Sequence, residues 1–158
     1  MARELITSWG DYQAAIDRLL AIAGQKICIY DEDLSYFKLE STLRLAQIRR
    51  ILHSGHKECL QIILRNADML RNRSPVLYKL LSDFNCLASA QQSPPELAHL
   101  RDCMLIVDDK HALIRFERDL PRSKLLLDEA GELKPYLNRF SELFLAGGER
   151  IGMPPLGL

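Results

Sequence analysis

The sequence predicts an α/β fold, a mixed β-sheet flanked by helices on both faces, and three observations point there. Short β-rich runs alternate with helix-period stretches through the first half, as in sheets whose parallel strands are joined by helices. Further on, "CMLIVDDKHALIRF" (103–116) sets two apolar runs around an acidic turn and reads as a hairpin, which adds antiparallel strands. Hydrophobic residues make up 47% and charged ones 27% of 158 residues, ordinary for one domain that buries roughly two thirds of its unfolded surface.

Taken in order, Ser8 can cap a helix from Trp9 to Ala23, with Tyr12, Ala15, Ile16, Leu19 and Leu20 on one stripe and Gly24 as its stop. "KICIY" (26–30) is a strand, followed by acidic Asp31, Glu32 and Asp33 and a second helix from Ser41 to Leu52, closed near Gly55. The alternation repeats with a strand over 59–64 and a helical pattern over 67–84 that Pro75 restarts. Residues 86–90 form a third short strand, and "QQSPPE" (91–96) a loop. After the hairpin come an apolar run at 123–127 and a last helix over 134–146, with Leu137, Phe140, Leu143 and Phe144 inward. The expected organisation is a single domain over 1–146, and the Gly- and Pro-rich stretch 147–158 is expected to be a flexible tail.

Lys plus Arg and Asp plus Glu both number 21, so no global field draws the chain to nucleic acid or a membrane surface. The start, Met1-Ala2-Arg3-Glu4, has neither a secretory core nor a spanning segment, and the expected location is the cytoplasm. Cys28, Cys59, Cys86 and Cys103 are widely spaced in or beside apolar runs, which points to reduced, packed thiols. His53, His56 and Cys59 have a superficial metal spacing, but Gly55 breaks the helix between the histidines; no metal site and no cofactor are expected.

Counting outward from Asp108, the spacing resembles the phospholipase D superfamily, whose motif is H-x-K-x4-D with a downstream Gly-Ser-x-Asn. The resemblance implies a His nucleophile attacking phosphorus, a Lys holding phosphate oxygens and an Asp closing the strand. Here Arg101 stands in the nucleophile's place and Cys103 in the lysine's, while Arg115, Phe116 and Arg118 replace the Gly, Ser and Asn. A guanidinium stays protonated and cannot attack, and a thiol in "CMLIV" carries no positive charge. His99-Leu100-Arg101 has the H-x-K spacing with Arg for Lys, but Asp108 then falls nine residues on, a register that only a strand bulge would restore. The chain looks most like a bacterial domain of unknown function that resembles a phospholipase D half and is sometimes attached to acetyltransferases, on the features "KICIYDEDL" and R-D-x-x-L-x-V-D.

Two residue groups are candidate sites. Asp31, Asp33 and Asp68, with Asn66, follow strands; if those strands are parallel they gather with Asp108 as a strand-end acidic cluster able to bind Mg²⁺, although helix capping also explains them. Arg101, Arg115, Arg118, Arg122 and Lys124, with His99, lie on or beside the hairpin and the next strand and could hold a phosphate or other anion, although interleaved Asp102, Glu117, Asp119 and Asp128 also fit a charge-mixed sheet edge.

The leading expectation is a non-catalytic phospholipase D-like domain, an accessory or regulatory protein that binds an anion, a phosphate-containing ligand or a protein partner. One alternative is a metal-dependent phosphoesterase or nuclease using the strand-end carboxylates, another an interaction scaffold without ligand. Single-motif members of the superfamily commonly pair, which implies a homodimer with the region around Asp108 and Arg115 near its axis.

Overall fold

The computed structural model describes residues 2–152. Its core is one eight-stranded mixed sheet in the order β1-β7-β6-β5-β2-β3-β4-β8. The alternation read from the sequence supplies its parallel centre: β2 (Ile27–Asp31), β3 (Leu60–Leu64) and β4 (Ala88–Gln92), joined by helices α2 (Thr42–His53), α3 (Asp68–Arg73) and α4 (Pro75–Asp83). The hairpin strands β5 (Cys103–Val107) and β6 (His111–Arg115), then β7 (Ser123–Leu127), extend it antiparallel from β2.

Residue alternation assigns the two faces. Ile27, Ile29, Ile62, Leu105 and Leu113 point to one side, where they pack with α1 (Trp9–Ile22) and α2 to α4. Cys28, Tyr30, Ile63, Met104, Ile106 and Ile114 point to the other, where α5 (Ala130–Leu145) lays Leu133, Phe140 and Leu143 on them. Among the described residues α-helices therefore cover both faces, four on one and one on the other.

The caps follow the chemistry expected of them. Ser8 Oγ accepts from Asp11 N at 3.1 Å and Ser41 Oγ from Arg44 N at 3.3 Å. Helix α1 stops at Ile22, and its last carbonyls at Leu20 and Ala23 are taken by Arg50 of α2 at 2.9 and 2.6 Å rather than by a glycine turn. Gly55, with φ of 76°, does end α2.

Strand β4 (Ala88–Gln92) lies two residues later than the expected 86–90 and takes Gln91 and Gln92 from the expected loop, and three further boundaries differ from the sequence reading. Strand β1 (Ala2–Ile6) comes from residues that look like a plain terminus and is held by pairing with β7. Helix α5 begins four residues before Lys134 and runs through Pro135; the carbonyl that Pro135 cannot serve belongs to exposed Gly131, where water can reach it. The expected boundary at 146 also moves, because Glu149–Ile151 forms β8, an antiparallel partner for β4 that satisfies that strand's outer backbone groups. The rest of the expected tail, 153–158, lies outside the described residues. No helix among the described residues is long and apolar enough to cross a membrane.

Candidate functional site

Pairing of Cys103 with Arg115 in one ladder and of Tyr30 with Met104 in the next lines up Arg115, Cys103 and Asp31 across three neighbouring strands. All three side chains lie on the α1 face, at the end of the sheet where β2, β3 and β6 finish. Arg115 Nη2 donates to Asp31 Oδ1 at 2.7 Å and to Cys103 Sγ at 3.1 Å, and Nη1 donates to the Tyr12 hydroxyl at 2.7 Å. The ion pair is dry, with side-chain exposures of 1% and 0%. Asp31 Oδ2 also accepts from Leu34 N at 2.7 Å. A second guanidinium, Arg65, follows β3 and reaches Cys103 Sγ at 3.4 Å, while its Nε donates to Glu32 at 2.8 Å.

Aromatic rings complete the enclosure. The Arg115 guanidinium carbon lies 4.9 Å from the Tyr12 ring centre, 5.1 Å from Tyr36 and 5.7 Å from Trp9, and Trp9 and Tyr36 stack at 4.0 Å. The loop after β2 delivers Tyr36, anchored by buried Leu34, Phe37 and Leu39. Among the described residues the buried Arg115 Nε has no partner, and Arg115 helps line a cleft of about 240 Å³ with Glu32, Asp33, Ser35, Tyr36, Arg118 and Asp119.

Burial pushes the Cys103 thiol up to about 12, with Asp31 adding to the shift and Arg115 and Arg65 opposing it. At neutral pH it is a protonated packing group. Cys28, on the other face, is pushed up to about 12 chiefly by burial as well. Cys86 departs from the expectation of packed thiols, since it is exposed; Cys28, Cys59 and Cys103 are buried. A disulfide-exchange dye at pH 8 is expected to titrate Cys86 alone in the native protein and the other three only after unfolding. Because the folded pKa values of Cys28 and Cys103 lie above the ordinary 9.0, the folded state keeps protons that the unfolded chain releases. The stability that these two thiols contribute is therefore complete below about pH 9 and lost as pH rises toward 12, which urea melts at pH 7.5 and 10.5 check.

The expected cationic group is brought only partly together, and each member that faces the site has a carboxylate. Arg101 Nε meets Glu117 Oε2 at 2.7 Å and its Nη2 meets Asp119 at 2.9 Å; Arg118 pairs with Glu32 at 2.6 Å; Arg115 is bound to Asp31. Arg122 is exposed, and His99 sits on an exposed turn after a short 3₁₀ segment (Pro95–Leu97). Since β5 starts at Cys103, His99 and Arg101 are not on a strand, and the bulge that would realign them with Asp108 is absent.

The acidic cluster divides. Asp31, Asp33 and Asp68 are at one end of the sheet, where Asp33 and Asp68 line an open cleft with Asn66. Asp108 is at the other end: β5 runs antiparallel to β2, so the residue after β5 sits where β2 begins. Its carboxylate accepts backbone N–H groups of Gly24, Gln25 and Lys26 at 2.9, 2.7 and 2.9 Å. A strand length, roughly 15 Å at about 3.3 Å per residue, thus separates it from Asp31. Among the described residues no three His, Cys, Asp or Glu side chains converge as a metal site would require. His53 instead packs edge-on against Phe84, and His56 Nδ1 bonds Ser54.

Sequence reasoning missed Tyr12's second role, Trp9, Tyr36, Arg65 and Glu32. A signal existed for one of them: Arg65 closes the apolar run "CLQIIL" as Arg115 closes "HALI" and Asp31 closes "KICIY", and charges at the ends of fully buried strands require partners.

Residues 9–149 match the family described as a domain of unknown function, DUF7931. The chain belongs to this family. No curated protein matches it in sequence. Its DUF7931 fold is similar to that of a phospholipase D family member, Nuc from Salmonella typhimurium, with 11% identity, a TM-score of 0.62, and 94% of this chain and 97% of that one covered. NucT from Helicobacter pylori is similar at 14% identity and a TM-score of 0.60, covering 96% and 99%. TrmBL2, an archaeal chromatin protein whose structure shows a novel mode of DNA binding, is similar at 13% identity and a TM-score of 0.68; 94% of this chain is covered, which spans 54% of TrmBL2. The DUF7931 chain thus has a phospholipase D-like fold.

Proposed function

We propose that the chain is a non-catalytic phospholipase D-like domain, an accessory or regulatory unit that works by binding a partner. The observation that supports this reading is what stands in the motif positions: Arg101 is a cation tied to Glu117 and Asp119, and Cys103 is a buried, protonated thiol wedged between Arg115 and Arg65. Neither offers a nucleophilic lone pair beside a free positive charge, which phosphoryl transfer through a covalent intermediate needs. Purified protein is expected not to hydrolyse bis-p-nitrophenyl phosphate, with or without Mg²⁺. Metal-free turnover that disappears in His99→Ala would restore the misaligned motif as an active one. Mg²⁺-dependent turnover lost in Asp68→Ala, at an exposed residue, would favour the metal-dependent alternative.

The pairing of each of these guanidiniums with at least one carboxylate, Glu32 serving both Arg65 and Arg118, favours a protein partner over a free phosphate. Phe116 and Leu120, both exposed, lie in the segment after β6 among these charges and supply apolar contact. A second copy of the chain fits that surface, because mixed charges can be self-complementary about a two-fold axis. Light scattering at micromolar concentration is expected to give a dimer that Phe116→Asp with Leu120→Asp dissociates. A wild-type mass near 18.1 kDa would remove the second copy as the partner.

A further inference from the structure

The face covered by a single helix contains a cavity that the reading above does not use. It lies between the second half of α5 and strands β5, β2 and β3, with a volume of about 460 Å³. That size suits a small organic molecule. Ile106, Leu137, Phe140 and Phe144 form apolar walls, and the pocket lies nearer the Asp108 end of the sheet than the Arg115 end, since Lys26 and Asp109 sit at its rim.

The sheet side of the cavity is formed by Ile106 with two polar residues, Cys28 and Gln61, and Asn138 and Ser141 add polar surface from α5. Cys28 and Gln61 are register neighbours on β2 and β3, and the thiol donates to Gln61 Oε1 at 3.5 Å. Burial holds Cys28 protonated, so its S–H donates to the Gln61 amide oxygen and the amide NH₂ is the donor left to the cavity that both residues line. Gln61 is 7% exposed, and among the described residues no protein acceptor meets its Nε2. An apolar residue would close this wall at no polar cost; a glutamine there leaves a directed donor facing the space.

Charge at the mouth narrows the chemistry. Lys26 is paired with Asp109 at 3.5 Å, whereas exposed Glu58 has no basic partner among the described residues, so an anionic group entering here meets an uncompensated carboxylate. We propose that this cavity binds an uncharged small molecule with an apolar body against Leu137, Phe140 and Phe144 and a carbonyl oxygen that accepts from the Gln61 amide.

The test uses 6-propionyl-2-(dimethylamino)naphthalene, a neutral naphthyl ketone whose emission moves to the blue in apolar surroundings. Titration of the wild-type chain is expected to show saturable, blue-shifted binding of one dye per chain. Gln61→Met keeps the wall and removes the donor, and is expected to weaken binding about three- to tenfold. Ser141→Trp, at an exposed α5 position lining the cavity, is expected to abolish the saturable phase while the circular dichroism spectrum stays unchanged. Should Gln61→Met not fold, the same dye with its carbonyl reduced to methylene tests the hydrogen bond on the wild type, and weaker binding is expected. Uptake that never saturates, uptake indifferent to Ser141→Trp, or preference for a naphthalene sulfonate overturns the site or its ligand class. Equal affinity for the ketone and its methylene analogue overturns the role of Gln61.

Discussion

Arg115→Met is expected to destabilise the protein by about 3–5 kcal/mol, the scale for removing one member of a buried ion pair. The loss arises from what stays behind. Asp31 would keep its hydrogen bond from Leu34 N at 2.7 Å, yet its carboxylate would remain fully buried without its countercharge, the Tyr12 hydroxyl would lose the Arg115 donor, and Cys103 sulfur would keep only Arg65. Combining Arg115→Met with Asp31→Asn removes the stranded charge, so the double variant is expected to recover part of that loss. Urea unfolding of both single variants and the double gives the coupling directly. Additive single effects, or an Arg115→Met protein within about 1 kcal/mol of the wild type, would mean that the pair is not the clasp its geometry indicates.

At the opposite end of the sheet, Asp108→Ala is expected to cost about 2–3 kcal/mol. One carboxylate gathers the N–H groups of Gly24, Gln25 and Lys26, the segment that turns α1 into β2, and hydrogen bonds to a charged acceptor are the stronger kind. Asp108 also adopts a left-handed φ of 57°, which Asp and Asn tolerate better than Ala does. Asp108→Asn keeps the backbone preference and one acceptor oxygen and is expected to lose less. Asp109→Ala, a change at the neighbouring φ of 52° whose contact to Lys26 is an exposed 3.5 Å pair, serves as the control and is expected to lose least. Faster amide exchange at Gly24–Lys26 in Asp108→Ala, at unchanged exchange in α5, would locate the defect. A melting temperature equal to that of the wild type would refute the structural role.

The central strands were legible because each is a short apolar run with alternating faces, and Ser123–Leu127 was read to the residue. Strands β1 and β8 were not, and both are edges. "ARELI" exposes three of its five residues and "ERI" is three residues long, so neither carries a periodic signal; each is a strand because β7 or β4 offers unpaired backbone groups. The start of α5 was misplaced for a local reason, since Pro135 reads as a first-turn residue and the exposed Gly131 that makes it tolerable further in is itself no helix signal.

By itself the sequence determined the fold class and that residues two apart on a strand share a face, and it set Arg101 and Cys103 where the resemblance implies a nucleophile and a lysine. Tertiary structure alone decided which charges meet. Asp31 and Arg115 were read as members of two separate sites, one acidic and one cationic, and they are one buried pair; Asp31 and Asp108 were grouped, and they stand at opposite ends of the sheet. The reason is that side-chain alternation is a local property of each strand, whereas strand order, direction and register arise from backbone pairing between segments 84 residues apart, as Asp31 and Arg115 are.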